Sequence, residues 1–171
     1  MSNMYLCGFM GCGKSTVGEQ LARQLNRRFI DLDTYIESQA GMTVSAIFEC
    51  FGEADFRKRE QNACRELAGQ DELILALGGG TATYAENVRI LSQNGIIVYL
   101  RVSPQTVLAR LQGDATRPLL QTEDKEEAIN RLFAAREKLY EEAATVTVDA
   151  EQSPQQVAAA IIAACDRKNC L

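Results

Sequence analysis

One segment near the start of the chain matches the pattern of a phosphate-binding loop. Residues 8–15 read GFMGCGKS, which fits G-x-x-x-x-G-K-[ST] and follows the apolar run Met4–Cys7. The glycines permit a tight bend in which successive backbone N–H groups point at a phosphate. Lys14 adds a positive charge near the β- and γ-phosphates, and the Ser15 hydroxyl is suited to binding Mg²⁺. The pattern predicts a nucleoside triphosphate site, and the alternative is a glycine-rich turn before an ordinary helix.

Two carboxylates follow the second predicted strand, where open α/β sheets bind their ligands. Asp31 could hold Mg²⁺ directly or through water, and Asp33 could accept a proton from a substrate hydroxyl. The alternative is that one of them caps the helix starting near Thr34. Because the chain contains no histidine, acid–base chemistry must use carboxylates.

Four further segments carry glycines or arginines that could bind an anion. Gly78–Gly80 either brings backbone N–H groups close to a ligand or forms a flexible turn. Arg57 and Arg136 lie in helical segments mixed with acids, a pattern that by itself favours a solvent-exposed face over contact with a ligand. Arg117 lies in the aperiodic segment 112–124, which we expect to be a lid over the phosphates rather than a disordered loop.

Apolar runs of strand length alternate with helical periodicity, which favours an α/β fold with a parallel sheet. The predicted strands are Met4–Cys7, Arg28–Ile30, Leu73–Leu77, Ile96–Leu100 and Thr145–Val148. The apolar spacing after the glycine-rich loop predicts a helix over 14–25. Ser103-Pro104 and Ser153-Pro154 predict two more helix starts, with ends near Leu111 and Ala164.

Composition narrows the class of protein. A chain of 171 residues, 46% hydrophobic and 24% charged, is typical of one compact soluble domain. The net charge of −5 disfavours a general nucleic-acid binder. No apolar stretch approaches the roughly 20 residues that cross a bilayer, and no leader pattern is present, so we expect a cytoplasmic protein.

The six cysteines form no C-x-x-C pair, which disfavours zinc and predicts free thiols. Cys12 is either a thiol activated at a helix N-terminus or a small filler residue.

Together these motifs resemble the shikimate kinase family in that family's order and spacing. The residues that carry the resemblance are Gly8–Thr16, Asp31 with Asp33, Phe56-Arg57 with Glu60, Gly78–Gly80, Arg117-Pro118-Leu119 and Arg136 with Tyr140. The resemblance covers essentially the whole chain. It implies ATP-dependent phosphorylation of the 3-hydroxyl of shikimate, a step of aromatic amino-acid biosynthesis. It also implies a P-loop kinase fold, with three α-β-α layers around a five-stranded parallel sheet of order 2-3-1-4-5.

The resemblance further implies a role for each matching position. Shikimate would be bound by Asp33, Arg57, Gly79 and Arg136. ATP would be bound by Gly11, Cys12, Gly13, Lys14, Ser15, Thr16, Arg110 and Arg117. Mg²⁺ would be held by Ser15 and Asp31, and catalysis would use Lys14, Asp33 and Arg117.

The organisation expected from these assignments is a single kinase domain over 1–171. Its helical region at about 33–60 would bind the substrate, and its lid would lie at about 112–124. We expect a monomer that binds ATP and shikimate, with no nucleic-acid or membrane partner. Two alternatives stay open, namely another small-metabolite kinase, such as one acting on gluconate, and a nucleotide-dependent switch without a second substrate.

Overall fold

A computed structural model describes residues 2–111 and 125–168. Its sheet has five parallel strands in the order β2-β3-β1-β4-β5, with helices on both faces. The strands are β1 (Asn3–Cys7), β2 (Arg28–Asp31), β3 (Leu73–Ala76), β4 (Gly95–Arg101) and β5 (Val146–Asp149). The fold and strand order expected from the sequence are therefore confirmed.

Burial along the strands explains why they were visible in the sequence. All residues of β1 and β3 are buried, as are the five inner residues of β4. A parallel strand covered by helices on both faces reads as a continuous apolar run. The edge strand β5 instead alternates buried and exposed residues.

Seven α-helices and one short 3₁₀ turn, Thr81–Thr83, lie in the described part of the chain. The helices are α1 (Lys14–Leu25), α2 (Leu32–Ala40), α3 (Val44–Ala68), α4 (Ala85–Leu91), α5 (Pro104–Leu111), α6 (Lys125–Ala143) and α7 (Pro154–Arg167). The predicted start of α7 is confirmed by a capping box, in which Ser153 accepts from the Gln156 backbone N–H. None of these helices is long and apolar enough to cross a membrane.

The sheet register brings three chain segments to the same edge. Ala76 of β3 lies opposite Leu6 of β1 on one side and Asp31 of β2 on the other. The glycine-rich loop after β1, the acids at the end of β2 and the glycines after β3 therefore leave the sheet side by side. Ligands of open α/β sheets bind at this carboxyl edge.

Candidate active site

The loop between β1 and α1 bends through glycines that no other residue could replace without strain. Gly11 and Gly13 have φ of 76° and 95°, in the left-handed region. A Cβ on Gly8 would lie 2.8 Å from the carbonyl oxygen of Leu100. Lys14 folds back over the loop, and its Nζ donates to the carbonyl oxygens of Gly8 (2.9 Å) and Phe9 (3.1 Å). The ammonium group thus lies against the loop that was predicted to hold phosphate.

Asp31 makes two different contacts with its two carboxylate oxygens. Oδ2 accepts a hydrogen bond of 2.6 Å from the Ser15 hydroxyl at the start of α1. Oδ1 accepts from the backbone N–H groups of Asp33 (3.1 Å) and Thr34 (3.2 Å), which caps α2. The capping alternative is therefore correct for Asp31, and the same carboxylate also meets Ser15.

Asp33 lies in the first turn of α2 and is partly buried. Its Oδ1 approaches Gly78 so closely that a Cβ there would lie 2.8 Å away. Burial raises the pKa of Asp33 to about 6, and the nearby negative charge of Asp31 adds to the shift. Lys14 opposes it. A carboxyl with such a pKa exchanges its proton near neutral pH, as a general base must.

Two adjoining cavities run along the glycine-rich loop. The first, of about 340 Å³, brings together Gly11, Gly13, Lys14, Ser15, Thr16, Asp31, Asp33, Gly79 and Arg110. The second, of about 350 Å³, shares part of the loop and extends to Ala150 and Pro154 at the start of α7. The predicted nucleotide residues within the described ranges line these cavities.

Arg57 is held in place from several sides. Its Nη1 lies 3.2 Å from both carboxylate oxygens of Glu60, and its guanidinium packs between the rings of Phe56 (5.2 Å) and Tyr84 (5.0 Å). Glu53 adds a more exposed ion pair at 3.3 Å. These contacts favour a site role for Arg57 over the solvent-exposed interpretation.

Glu60 is the residue whose environment the sequence reasoning missed. It is 1% exposed, and its Oε1 also accepts a 2.7 Å hydrogen bond from the Thr81 hydroxyl. A signal was present, because Phe56, Ala63 and Cys64 lie four before, three after and four after Glu60. Residues at those spacings share one helix face. Glu60 therefore lies on the apolar face of α3 and links Arg57 to the segment after β3.

The carbonyl oxygen of Gly79 accepts hydrogen bonds from two side chains of α6. Arg136 donates through Nη1 at 3.2 Å, and the Tyr140 hydroxyl makes a shorter contact. A Cβ on the next residue, Gly80, would lie 3.0 Å from Nη2 of Arg57. The structure thus places the Gly79–Gly80 peptide between the two arginines that were predicted to bind shikimate.

The remaining predicted residues have different outcomes. Arg110 donates through Nη1 to the carbonyl oxygens of Gly11 and Cys12 (both 3.3 Å) and through Nη2 to that of Ala150 (3.1 Å). The Cys12 side chain is 1% exposed, which favours the filler interpretation over an accessible thiol. Arg117 and the predicted lid at 112–124 lie outside the described residues.

The chain is similar to known proteins over nearly its whole length. The family model for shikimate kinase matches residues 10–166. A shikimate kinase from Actinobacillus pleuropneumoniae is 44% identical over 161 residues, which are 94% of this chain and 93% of that protein.

Solved structures give the same result. A shikimate kinase from Acinetobacter baumannii in complex with shikimate has a TM-score of 0.93 at 41% identity, covering 100% of this chain and 96% of that chain. A gluconokinase from Sinorhizobium meliloti has a TM-score of 0.67 at 19% identity, covering 98% and 93%, and shares the fold alone. The chain therefore belongs to the shikimate kinase family and catalyses the ATP-dependent phosphorylation of shikimate.

Proposed function

We propose that this enzyme transfers the γ-phosphoryl group of ATP to the 3-hydroxyl of shikimate, with the residue roles set out below. The observation that carries the proposal is the shared cavity of Lys14, Asp31 and Asp33. A phosphate-binding cation and a carboxylate of raised pKa then face the same space. Phosphoryl transfer between two bound substrates needs this juxtaposition.

The glycine-rich loop and Lys14 bind the phosphates of ATP in this proposal. The N-terminus of α1 directs backbone N–H groups and a partial positive charge toward that position. The Lys14 ammonium would exchange its two loop carbonyls for phosphate oxygens, which are stronger acceptors because they are charged. It then stabilises the negative charge on the transferring group.

Ser15 and Asp31 are the proposed holders of Mg²⁺. Their oxygen atoms lie 2.6 Å apart beside the phosphate loop. Hard oxygen donors fit this ion, which keeps several waters and takes its other ligands from substrate phosphates. Two protein side chains are therefore sufficient for such a site. When bound, the ion would supply positive charge that offsets the negative charge of the phosphates.

Arg57, Arg136 and the glycines after β3 bind the acceptor carboxylate in this proposal. Planar guanidinium groups match a carboxylate in two parallel hydrogen bonds. Within the described residues, the N–H groups of Gly79 and Gly80 have no hydrogen-bond partner, so they can donate to the same anion. The partners of Arg57 keep its guanidinium in one orientation before the acceptor arrives.

Asp33 is the proposed general base. Its raised pKa lets it take the proton of the 3-hydroxyl at neutral pH. The hydroxyl oxygen then forms a bond to the γ-phosphorus, while the bond from that phosphorus to the bridging oxygen breaks and ADP leaves. The positive charge at Lys14 balances the charge that develops at the leaving group. Arg117 would add charge from the lid, and that role stays a prediction.

A coupled assay of ADP release tests the proposal. We expect turnover with ATP and shikimate, and release at least about a hundredfold slower with gluconate or without an acceptor. Lys14→Ala should remove the shikimate-dependent rate. Equal rates with gluconate would favour the alternative kinase, and slow ADP release independent of acceptor would favour the nucleotide-dependent switch.

Two further properties of the protein belong to the same proposal. They are a monomeric state and a cytoplasmic location, both expected from the sequence. Light scattering of the purified protein tests the first, since a dimer mass would contradict it. Fractionation of cells tests the second.

A further inference from the structure

The side chain of Tyr140 is buried in the layer between α6 and the sheet, yet its hydroxyl reaches the candidate site. Tyr140 is 1% exposed, and its ring packs against that of Tyr99 on β4, with centroids 5.4 Å apart. Arg136 lies four residues earlier, on the same face of α6. Both side chains donate to the carbonyl oxygen of Gly79.

Two hydrogen bonds from α6 hold the carbonyl oxygen of Gly79, whereas the carbonyl oxygens of Gly78 and Gly80 accept from Thr81 and Thr83 in the turn that follows. Gly78, Gly79 and Gly80 carry no side chains that could fix their backbone, and glycine samples more conformations than other residues. A carbonyl oxygen has two lone pairs, and here Arg136 and Tyr140 use both. The orientation of the Gly79–Gly80 peptide is therefore set from α6.

The orientation of the Gly79–Gly80 peptide determines where the Gly80 N–H points. In a trans peptide the C=O and the following N–H point in opposite directions. With the Gly79 oxygen turned toward α6, the Gly80 N–H is turned away from α6, and the Cα of Gly80 lies beside the Arg57 guanidinium. The hydrogen bond from Tyr140 therefore helps to orient the Gly80 N–H, which lies between Arg57 and Arg136.

The hydrogen bond from Tyr140 also leaves more N–H donors of Arg136 available to a ligand. Arg136 donates to the Gly79 oxygen and also contacts the Tyr140 hydroxyl, and a guanidinium with five N–H donors keeps others for an anion. Without the tyrosine bond, the partly buried Gly79 carbonyl would depend on Arg136 alone and would compete with an anion for it. Burial raises the pKa of the Tyr140 phenol, so the hydroxyl stays protonated and remains a donor at all relevant pH values.

We propose that Tyr140 is a positioning residue for acceptor binding. Its hydroxyl holds the Gly79 carbonyl, and through it the Gly80 N–H and the Arg136 guanidinium, in the arrangement that meets the acceptor carboxylate. Tyr140 touches neither substrate in this scheme. The inference rests on the proposed function, because it assumes that Arg136 binds the acceptor.

Steady-state kinetics of Tyr140→Phe test the inference. This change removes one oxygen atom and leaves the ring that packs on Tyr99. We expect the KM for shikimate to rise about tenfold, since one hydrogen bond to the carbonyl is lost. The kcat should stay within about threefold and the KM for ATP within about twofold, because the hydrogen bond that the Tyr140 hydroxyl donates goes to Gly79 and not to the phosphate loop. Calorimetric titration with shikimate alone should show the same loss of affinity.

Tyr99→Phe is the matched control. It removes a hydroxyl from the partner ring in the same layer, 1% exposed, and that hydroxyl has no hydrogen bond to Gly79. We expect all its kinetic constants within about twofold of the wild-type values.

Two results would overturn the inference while leaving the proposed function intact. One is an unchanged KM for shikimate in Tyr140→Phe when the wild-type enzyme is active. The other is an equal loss for shikimate and ATP, which would mean that the hydroxyl only supports the fold. A wild-type protein that does not phosphorylate shikimate would instead contradict the proposed function.

Discussion

Replacing Asp33 with Asn should make the protein more stable at neutral pH and much less active. Burial raises the pKa of Asp33 from 3.8 to about 6, and the charge of Asp31 adds to the shift. The folded state therefore binds the Asp33 proton more tightly than the unfolded state does. At neutral pH the carboxyl is ionised in both states, and its ionisation in the folded state lowers the free energy of unfolding.

The size of this effect follows from the shift. A change of about two pKa units corresponds to about 3 kcal/mol between the protonated and ionised forms. Because Asp33 is partly exposed, solvent screening reduces this value, and we expect a gain of about 1–2 kcal/mol for Asp33→Asn at pH 7. Asn is neutral and has nearly the shape of the protonated acid. In a chain of this length the gain raises Tm by about 2–8 °C.

The sign of the pH dependence gives an independent check. Between pH 3.8 and about 6 the folded wild-type protein binds more protons at Asp33 than the unfolded chain, so this contribution to stability falls as pH rises through that window. The Asn variant has no such dependence. Urea unfolding at pH 7 and at about pH 4 should therefore show a gap that closes at the lower pH. A gap of equal size at both values, or a less stable variant at pH 7, would refute the reasoning.

Activity should change in the opposite direction. We expect kcat of Asp33→Asn to fall about a hundredfold or more, which is the lower range of general-base contributions. The wild-type kcat/KM for shikimate should fall about tenfold per pH unit below about 6, and the variant should lack this limb. If the pH profiles of both enzymes show the same fall at low pH, another group titrates there, and Asp33 lines the cavity without acting as the base.

Three further predictions address the phosphate loop, the acceptor site and the packing below them. Lys14→Ala should abolish detectable turnover while its far-ultraviolet circular dichroism stays unchanged, because the ammonium stabilises charge on the transferring group; near-normal turnover would contradict this. Arg57→Lys should raise the KM for shikimate about tenfold or more and keep ATP binding within a few-fold, since charge is kept and the fork is lost; calorimetry with each substrate checks it. Gly18→Ala should cost about 1–3 kcal/mol in urea unfolding, because the added Cβ would lie 2.3 Å from Cε2 of Phe29; an unchanged midpoint would show that the ring moves aside freely.

The sequence predicted those parts of the fold whose signals are local. The start of α7 was visible because the cap, the proline and the apolar spacing act within a few residues. The inner strands were visible because two covered faces leave an unbroken apolar run. The glycines of the phosphate loop were visible because a left-handed backbone restricts the residue type.

Other features depend on contacts between distant segments, and residue patterns alone could not give them. The helical spacing of Phe56, Ala63 and Cys64 places Glu60 on an apolar face, but that spacing cannot identify its hydrogen-bond partner Thr81, which is 21 residues away. The 25-residue α3 contains a break at Gly52, with φ of 79° and ψ of 172°, although one glycine in a helical pattern does not predict a break. The pairing of Tyr140 with Gly79 spans 61 residues. That contact depends on how α6 packs against the sheet.

The divided contacts of Asp31 affect how experiments on this site should be interpreted. One oxygen of the carboxylate meets Ser15, and the other holds the first turn of the helix that carries Asp33. A change at Asp31 therefore disturbs a ligand of the nucleotide half and a support of the acceptor half at once. A defect in an Asp31 variant cannot be assigned to metal binding from turnover alone. Only separate affinities for nucleotide and acceptor, each measured with and without Mg²⁺, would divide the loss between the two halves.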